Sequence, residues 1–101
     1  MNISVQSKDY FLIINIDARD VTPQNFPMFA NQLRMAIMNN YTPNATVAAL
    51  NVNGPLWVVA AAVCIVQTLM STVGLIQGEQ VIVVATTTPE YAPGMVLQLP
   101  K

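Results

Sequence analysis

Two segments with helical spacing each stand between two apolar runs rich in β-branched residues, and this alternation limits the chain to an α/β fold. The first helical segment joins residues 10–17 (YFLIINID) to residues 46–52 (TVAALNV), and the second joins residues 46–52 to residues 73–77. A strand, a crossover helix and a second strand form a βαβ unit with parallel strands and a right-handed crossover. The uninterrupted apolar run of residues 46–52 predicts a central strand that is buried on both faces.

Short β runs at both ends of the chain add antiparallel pairs to this centre. The polar turn Ser7-Lys8-Asp9 precedes residues 10–17 and predicts an N-terminal hairpin. Gly78-Glu79-Gln80 predicts a tight turn between two later strands. The strands outside the centre are predicted at residues 3–6, 73–77, 81–87 and 95–99. The expected fold class is α/β, one domain over residues 1–101, with a mixed sheet, two helices and terminal hairpins in the order β–β–α–β–α–β–β–β.

Both helices have sequence signals at their starts. Thr22-Pro23 predicts the start of the first helix, because Thr can accept a hydrogen bond at the N-cap and Pro fits the first helical position. The pattern fails by Asn39-Asn40. The second helix is predicted over residues 56–69, after the break at Asn53-Gly54-Pro55. The apolar face of the first helix is formed by Phe26, Phe29, Ala30, Leu33 and Ile37.

The composition excludes several classes of protein. Apolar residues make up 53% of the chain and charged residues 9%, which excludes intrinsic disorder. A net charge of −1 leaves no basic face to hold long nucleic acid, so double-stranded DNA is not an expected partner. Few charged side chains are present to cover the surface of so small a domain. We therefore expect part of the apolar excess to lie in subunit contacts of a homodimer or homotetramer.

The chain contains no His, which excludes Ser-His-Asp and Cys-His nucleophilic sites. A single Cys excludes a disulfide framework and Cys-based metal cages. Cys64 is flanked by apolar residues and is predicted to be a buried, inert side chain. Asp17 and Asp20 could offer oxygen ligands to Mg²⁺ or Mn²⁺, but so small a set favours a solvated strand end. No metal and no cofactor are expected, and no catalytic residue is assigned.

Residues 56–76 form an uncharged run of 21 residues, which is long enough to cross a bilayer. Polar residues such as Gln67 and Thr72 interrupt its second half, and no Lys or Arg flanks it. A buried helix followed by a strand is therefore favoured over a membrane span. Residues 1–9 lack the pattern of a signal peptide, so we expect a cytoplasmic protein without a membrane partner.

The junction between residues 46–52 and the second helix is the most informative segment for function. In open α/β sheets, ligands bind at the carboxyl ends of the strands. Asn51 and Asn53 could hydrogen-bond a base edge or a sugar, and Gly54 would let a ligand approach the backbone. Pro55 suits a helix start, where free N–H groups attract phosphate. The alternative is an ordinary strand–turn–helix connection. Neither a Walker lysine nor G-x-G-x-x-G is present, which excludes an ATPase loop and a dinucleotide fingerprint.

This junction also carries a family resemblance. Four segments of the chain are similar to one CRISPR-associated family. They are the run Asn53-Gly54-Pro55-Leu56-Trp57, the Ala-rich helix after it, the strand at residues 81–85 and the ending at residues 89–97 (PEYAPGMVL). That family is the stand-alone ring nucleases of type III CRISPR systems, also described as manganese-dependent RNA deadenylases. Its members share a Gly-Pro-x-Trp helix start, a parallel strand pair and a C-terminal Glu-Tyr-x-x-Gly. The similarity spans the chain and is strongest from Asn51 onward.

The resemblance implies a Rossmann-like dimer that binds cyclic tetra-adenylate, the RNA second messenger of these antiviral systems. Pairs of dimers would enclose the ring and open it, which ends the signal. The ligand surface carried over from the family is Asn51, Asn53, Gly54 and Pro55.

The chain departs from the family at the residues that would transfer protons or hold metal. Asn53 or its neighbour replaces an Arg, Cys64, Ile65 and Gln67 stand where the family has His, and Gln77 replaces an Asp. We therefore expect metal-independent ring opening, in which the protein only holds a ribose 2′-OH in line for attack. Such positioning supplies about 7–11 kcal/mol. Gln67 and Gln77 can still hydrogen-bond phosphate or sugar, or they are ordinary surface residues. The alternative function is an inactive binding or structural homo-oligomeric domain.

Overall fold

The structure is a computed structural model that describes residues 1–100 and contains one six-stranded mixed sheet with two helices. The elements are β1 (Asn2–Lys8), β2 (Phe11–Asp17), α1 (Phe26–Asn40), β3 (Val47–Asn53), α2 (Leu56–Gln67), β4 (Thr72–Gln77), β5 (Gln80–Thr86) and β6 (Val96–Gln98). The strands lie side by side in chain order from β1 to β6. The predicted α/β fold, its element order and its terminal hairpins are confirmed, and a Rossmann-like description fits the architecture.

The strand directions decide where the helices lie. β2, β3 and β4 run parallel to one another, and the remaining neighbours are antiparallel. Two successive right-handed crossovers that advance across a sheet in one direction place both helices on the same face. Side chains of both helices accordingly share one buried cluster with alternate residues of β2 and β3. We call this side the helix-covered face. Its fully buried members include Leu12, Ile14, Phe29, Leu33, Val58 and Val66.

The opposite side, which we call the helix-free face, is buried in a different way. Phe11, Val47 and Val81 are fully buried there although no helix packs on them. Tyr91 from the β5–β6 connection and Leu97 of β6 pack against this second cluster. The C-terminal segment therefore takes the place of a second helix layer over part of the sheet. Where β2 and β3 end, polar side chains take the place of this apolar cover.

The first helix begins later than the sequence predicts. Thr22-Pro23 lies in a turn, and α1 begins at Phe26 with Pro27 in its first turn. The N–H of Thr22 donates to Oδ1 of Asn25 at 2.7 Å, and the N–H of Asn25 donates to Oγ1 of Thr22 at 3.3 Å. This reciprocal pair closes the turn and uses the Thr hydroxyl that would otherwise cap a helix. The predicted apolar face of α1 is confirmed, because Phe29, Ala30, Leu33 and Ile37 are buried.

The second helix ends at Gln67, and a separate strand follows it, as the helix-plus-strand interpretation of residues 56–76 predicted. Within residues 1–100 no helix is both long and apolar enough to cross a membrane. The prediction that Cys64 is buried is wrong, since its side chain is exposed. The buried side chains of α2 are Val58, Ala62, Ile65 and Val66. Cys64 lies two positions from Ala62 along the helix and therefore falls on its outer side.

Candidate functional site

Six polar side chains stand in two rows across β1, β2 and β3 on the helix-free face, and we call them the polar patch. The rows are Ser4–Asn15–Asn51 and Asn2–Asp17–Asn53, each set by the strand register. Side chains alternate between faces along a strand, so the two patch residues of each strand, spaced two apart, fall on the same face. The six side chains line a shallow concavity of about 180 Å³ at the carboxyl ends of β2 and β3.

The patch presents amide groups that remain available to a ligand. Nδ2 of Asn51 donates to Oδ1 of Asn15 at 3.1 Å, which fixes the orientation of two neighbouring amides. Asn2, Asn15, Asn51 and Asn53 are all exposed. An amide carries two donors and an acceptor, so together these side chains can hydrogen-bond the edge of a base or the hydroxyls of a sugar.

The location differs from the crevice expected of a doubly wound sheet. Such a crevice opens where the strand order reverses, with helices on both faces. Here the strand order never reverses, and both helices lie on one side. The concave surface at the carboxyl ends of the strands is therefore an open face of the sheet.

An ion pair joins one member of the polar patch, Asp17, to Arg19 in the loop after β2. The guanidinium of Arg19 donates to Asp17 through Nε at 2.9 Å and Nη2 at 2.8 Å. These hydrogen bonds lower the pKa of Asp17 to about 2. Next to the pair, the ammonium group of Met1 donates to the carboxylate of Asp20, and this bond lowers the pKa of Asp20. Both carboxylates thus already have cationic partners, and within residues 1–100 no three His, Cys, Asp or Glu side chains are grouped together.

Replacing Arg19 with Gln is expected to raise the pKa of Asp17 from about 2 towards the ordinary value of 3.8. A carboxyl whose folded-state pKa is depressed stabilises the fold above its unfolded pKa and loses that contribution as the pH falls through the folded pKa. The contribution of this pair is therefore complete above about pH 4 and disappears towards about pH 2. NMR titration of the Asp17 carboxyl carbon measures the shift. Arg34→Gln, on α1, is the control, and an equal titration in both variants would refute the assignment.

At Gly54, the β3–α2 junction lies close to the backbone of the β2–α1 loop. The N–H of Ala18, just after β2, donates to the carbonyl of Asn53 at 2.7 Å. A Cβ at position 54 would lie 3.0 Å from the carbonyl oxygen of Ala18. The neighbour that requires glycine here is thus the β2–α1 loop. Pro55 is the N-cap of α2, and no side chain caps the first turn of this helix.

The structure unites some of the predicted ligand residues and separates others. Asn51 and Asn53 lie in the polar patch, with Gly54 and Pro55 directly after them. Gln77 ends β4 at the same edge of the sheet, but strand alternation places it on the helix-covered side. Gln67 ends α2, about 16 Å along the helix axis from its start at 1.5 Å per residue. It therefore lies at the opposite edge, away from the patch.

Of the six residues in the patch, the sequence predicted only Asn51 and Asn53 as ligand residues. It missed Asn2, Ser4 and Asn15, and Asp17 was considered only as a metal ligand. A signal for them exists. Polar residues alternate along β1, and Asn15 and Asp17 interrupt an otherwise apolar strand at the spacing that Asn51 and Asn53 repeat in β3. Only the register shows that these alternating positions fall side by side.

Comparison with family models gives no match for the chain, and comparison with curated proteins gives no significant match. The resemblance to ring nucleases therefore remains an expectation from short motifs. The structural support for a functional proposal comes from the residues of the polar patch and its borders.

Proposed function

We propose that the protein binds cyclic oligoadenylate, cyclic tetra-adenylate in the first place, on the polar patch and opens the ring without a metal ion. In this role it acts in the cytoplasm and damps type III CRISPR antiviral signalling. The observation that carries the proposal is the pair of polar rows that ends β2 and β3 on an uncovered face. The family resemblance supplies the identity of the ligand.

The patch has the chemistry that adenine and ribose require. Adenine offers ring-nitrogen acceptors and an amino donor, and ribose offers hydroxyls that both donate and accept. Asn51 and Asn53 carry complementary donors and acceptors and are exposed. Neutral amides bind such groups without the desolvation cost of burying a charge.

Arg19 gives the site a cation for phosphate. It follows Ala18, whose N–H is bonded to the carbonyl of Asn53, so its loop adjoins the β3–α2 junction. The family places an Arg in the loop before Gly-Pro, where this chain has Asn53 or its neighbour. The Nε and Nη2 of Arg19 already donate to Asp17, so the guanidinium can take over the same role through Nη1, which carries two further donors.

Ring opening then needs only alignment. The ribose 2′-oxygen attacks the adjacent phosphorus, and the bond from phosphorus to the 5′-oxygen breaks. The proton of the 2′-hydroxyl ends on the leaving 5′-oxygen, which gives a 2′,3′-cyclic phosphate and a 5′-hydroxyl. Holding the reacting atoms in line contributes about 7–11 kcal/mol, so slow turnover is expected without an imidazole.

The binding test compares two charge substitutions on the patch with one elsewhere. Asn51→Asp and Asn53→Asp keep the side-chain shape but place a carboxylate beside the phosphates, and each is expected to weaken binding of cyclic tetra-adenylate at least tenfold. Asn31→Asp adds the same charge to the exposed side of α1 and is expected to change binding little. Isothermal titration calorimetry measures the affinities. Equal affinities in all three variants would remove the patch from the proposal.

Chromatography of the products tests the catalytic half. Linear tetra-adenylate with a 2′,3′-cyclic phosphate, formed at the same rate with and without EDTA, is the expected result. Binding without any product reduces the proposal to a messenger-binding protein. No binding of the messenger at micromolar protein contradicts the proposal altogether.

A structural role in a homo-oligomer is the second candidate. The uncharged helix α2 exposes two adjacent apolar side chains, Leu56 by 85% and Trp57 by 42%, which a subunit contact would cover. This role predicts an assembly without affinity for cyclic oligoadenylates, so the same calorimetry distinguishes the two candidates.

A further inference from the structure

We propose that the outer edge of β1 pairs antiparallel with β1 of a second copy of the chain, which joins two sheets into one. β1 stands at one end of the strand order, and β2 occupies its inner edge along all seven residues. Within residues 1–100, no strand pairs with the N–H and C=O groups on the outer edge of β1. Such an edge is a template for pairing with another chain.

The two edges of this sheet are built differently. Proteins protect exposed edges with Pro, bulges, inward charges or very short strands. β1 has seven residues, contains no Pro, pairs with β2 without a bulge and carries a single charge, Lys8, at its last position. β6, at the other end, has three residues, and Pro93 and Pro100 stand close on either side of it. Only the β1 edge is therefore suited to extend the sheet.

Full overlap of two β1 strands fixes the register. All seven residues pair when Val5 lies on the two-fold axis, Ser4 faces the partner's Gln6 and Asn2 faces the partner's Lys8. Each lysine then faces a neutral side chain, so no like charges are opposed. Across the axis, Lys8 meets the amide of Asn2 and Ser4 meets Gln6, so every charged or polar side chain on this face of β1 has a polar partner, and the lysine has a neutral one. This self-complementary register favours a second copy as the occupant of the edge.

The pairing also completes the polar patch. Asn2 and Ser4 line the patch from β1. In the paired register the partner's Lys8 extends the row that contains Asn2 and Asp17. It would add a cation beside the amides. A cation at this position suits an anionic ligand, and this consequence rests on the proposed function.

Like charges placed on this edge test the interface. Ser4→Lys/Gln6→Lys sets lysines opposite lysines across the two-fold axis, and both positions are exposed in the single chain. In the absence of ligand, sedimentation equilibrium is expected to give twice 11.0 kDa for the wild type and 11.0 kDa for this variant. Ser4→Lys/Gln6→Glu pairs opposite charges in the same register and is expected to restore the dimer. Asn31→Lys/Met35→Lys, on the outer side of α1, is the matched control and should keep the wild-type mass.

A covalent test covers the case in which the lysine variant does not fold. In a Cys64→Ser background, chains with Ser4→Cys and chains with Gln6→Cys are mixed and oxidised, and the expected product is a cross-linked pair of one chain of each kind. A monomeric wild type, an unchanged mass in a folded Ser4→Lys/Gln6→Lys, or no cross-link overturns the proposal. Since no ligand is present, a dimer that fails to bind cyclic tetra-adenylate would remove the proposed function and leave this interface standing.

Discussion

Replacing Phe11 with Ala is expected to lower the free energy of unfolding by about 3–5 kcal/mol, the range for large-to-small changes in a well-packed core. The Phe11 side chain is fully buried on the helix-free face, together with Val47, Ala49 and Val81. Its ring also stacks on Tyr10, with 4.3 Å between the ring centroids. The substitution thus opens a cavity in a cluster to which β2, β3 and β5 contribute and against which the C-terminal residues Tyr91, Leu97 and Leu99 pack.

Urea denaturation followed by circular dichroism measures this loss. Leu56→Ala is the matched control, since that side chain is 85% exposed and its truncation should change stability by no more than about 0.5 kcal/mol. A loss below about 1 kcal/mol for Phe11→Ala would mean that the C-terminal segment does not close this face, because a residue open to water contributes little when truncated.

Replacing Gly74 with Ala is expected to lower the free energy of unfolding by about 1–3 kcal/mol, the range for overpacked cores. A Cβ at position 74 would lie 2.4 Å from Cγ1 of the fully buried Val81 and 3.0 Å from the carbonyl oxygen of Ile82. The register between β4 and β5 shifts beside this residue, so the two backbones already meet irregularly here. The side chain of Val81 can turn or shift, but the carbonyl belongs to the sheet.

A double-mutant cycle assigns the cause of this loss. Val81→Ala removes the nearer of the two contacts, so Gly74→Ala/Val81→Ala is expected to be more stable than the sum of the two single effects predicts. Thermal denaturation of the four proteins gives the coupling, at about 4–8 °C per kcal/mol for a domain of this size. Additive losses would show that Val81 does not limit the space at position 74.

Local patterns predict most of the fold because they report local physics. The β-branched runs and the spacing of Phe29, Leu33 and Ile37 depend on neighbours in sequence, and the structure confirms them. The predicted start of α1 was wrong because the sequence carries two capping signals close together. One is Thr22-Pro23, and the other is Asn25 with Pro27 two residues later. The hydrogen bonds between Thr22 and Asn25 decide between them.

The site depends on contacts between residues far apart in sequence, which local patterns do not contain. Asn15 lies beside Asn51 only because β2 and β3 pair in one particular register. A slip by one residue would send one of the two amides to the helix-covered face. The position of Gln67 follows from the direction of α2, and the cover over Phe11 follows from the path of the last residues of the chain. Asn51 and Asn53 were predicted from their own junction, whereas the rest of the patch required the sheet.

The strict succession of β1 to β6 has a consequence for how the molecule assembles. No strand has to insert between two strands that are already paired. Each new strand therefore pairs with the free edge of the strand that precedes it in the chain. Each pairing requires the closure of at most one crossover, such as the one that brings Asn15 beside Asn51. Growth can proceed from the first residues to the last as they leave the ribosome.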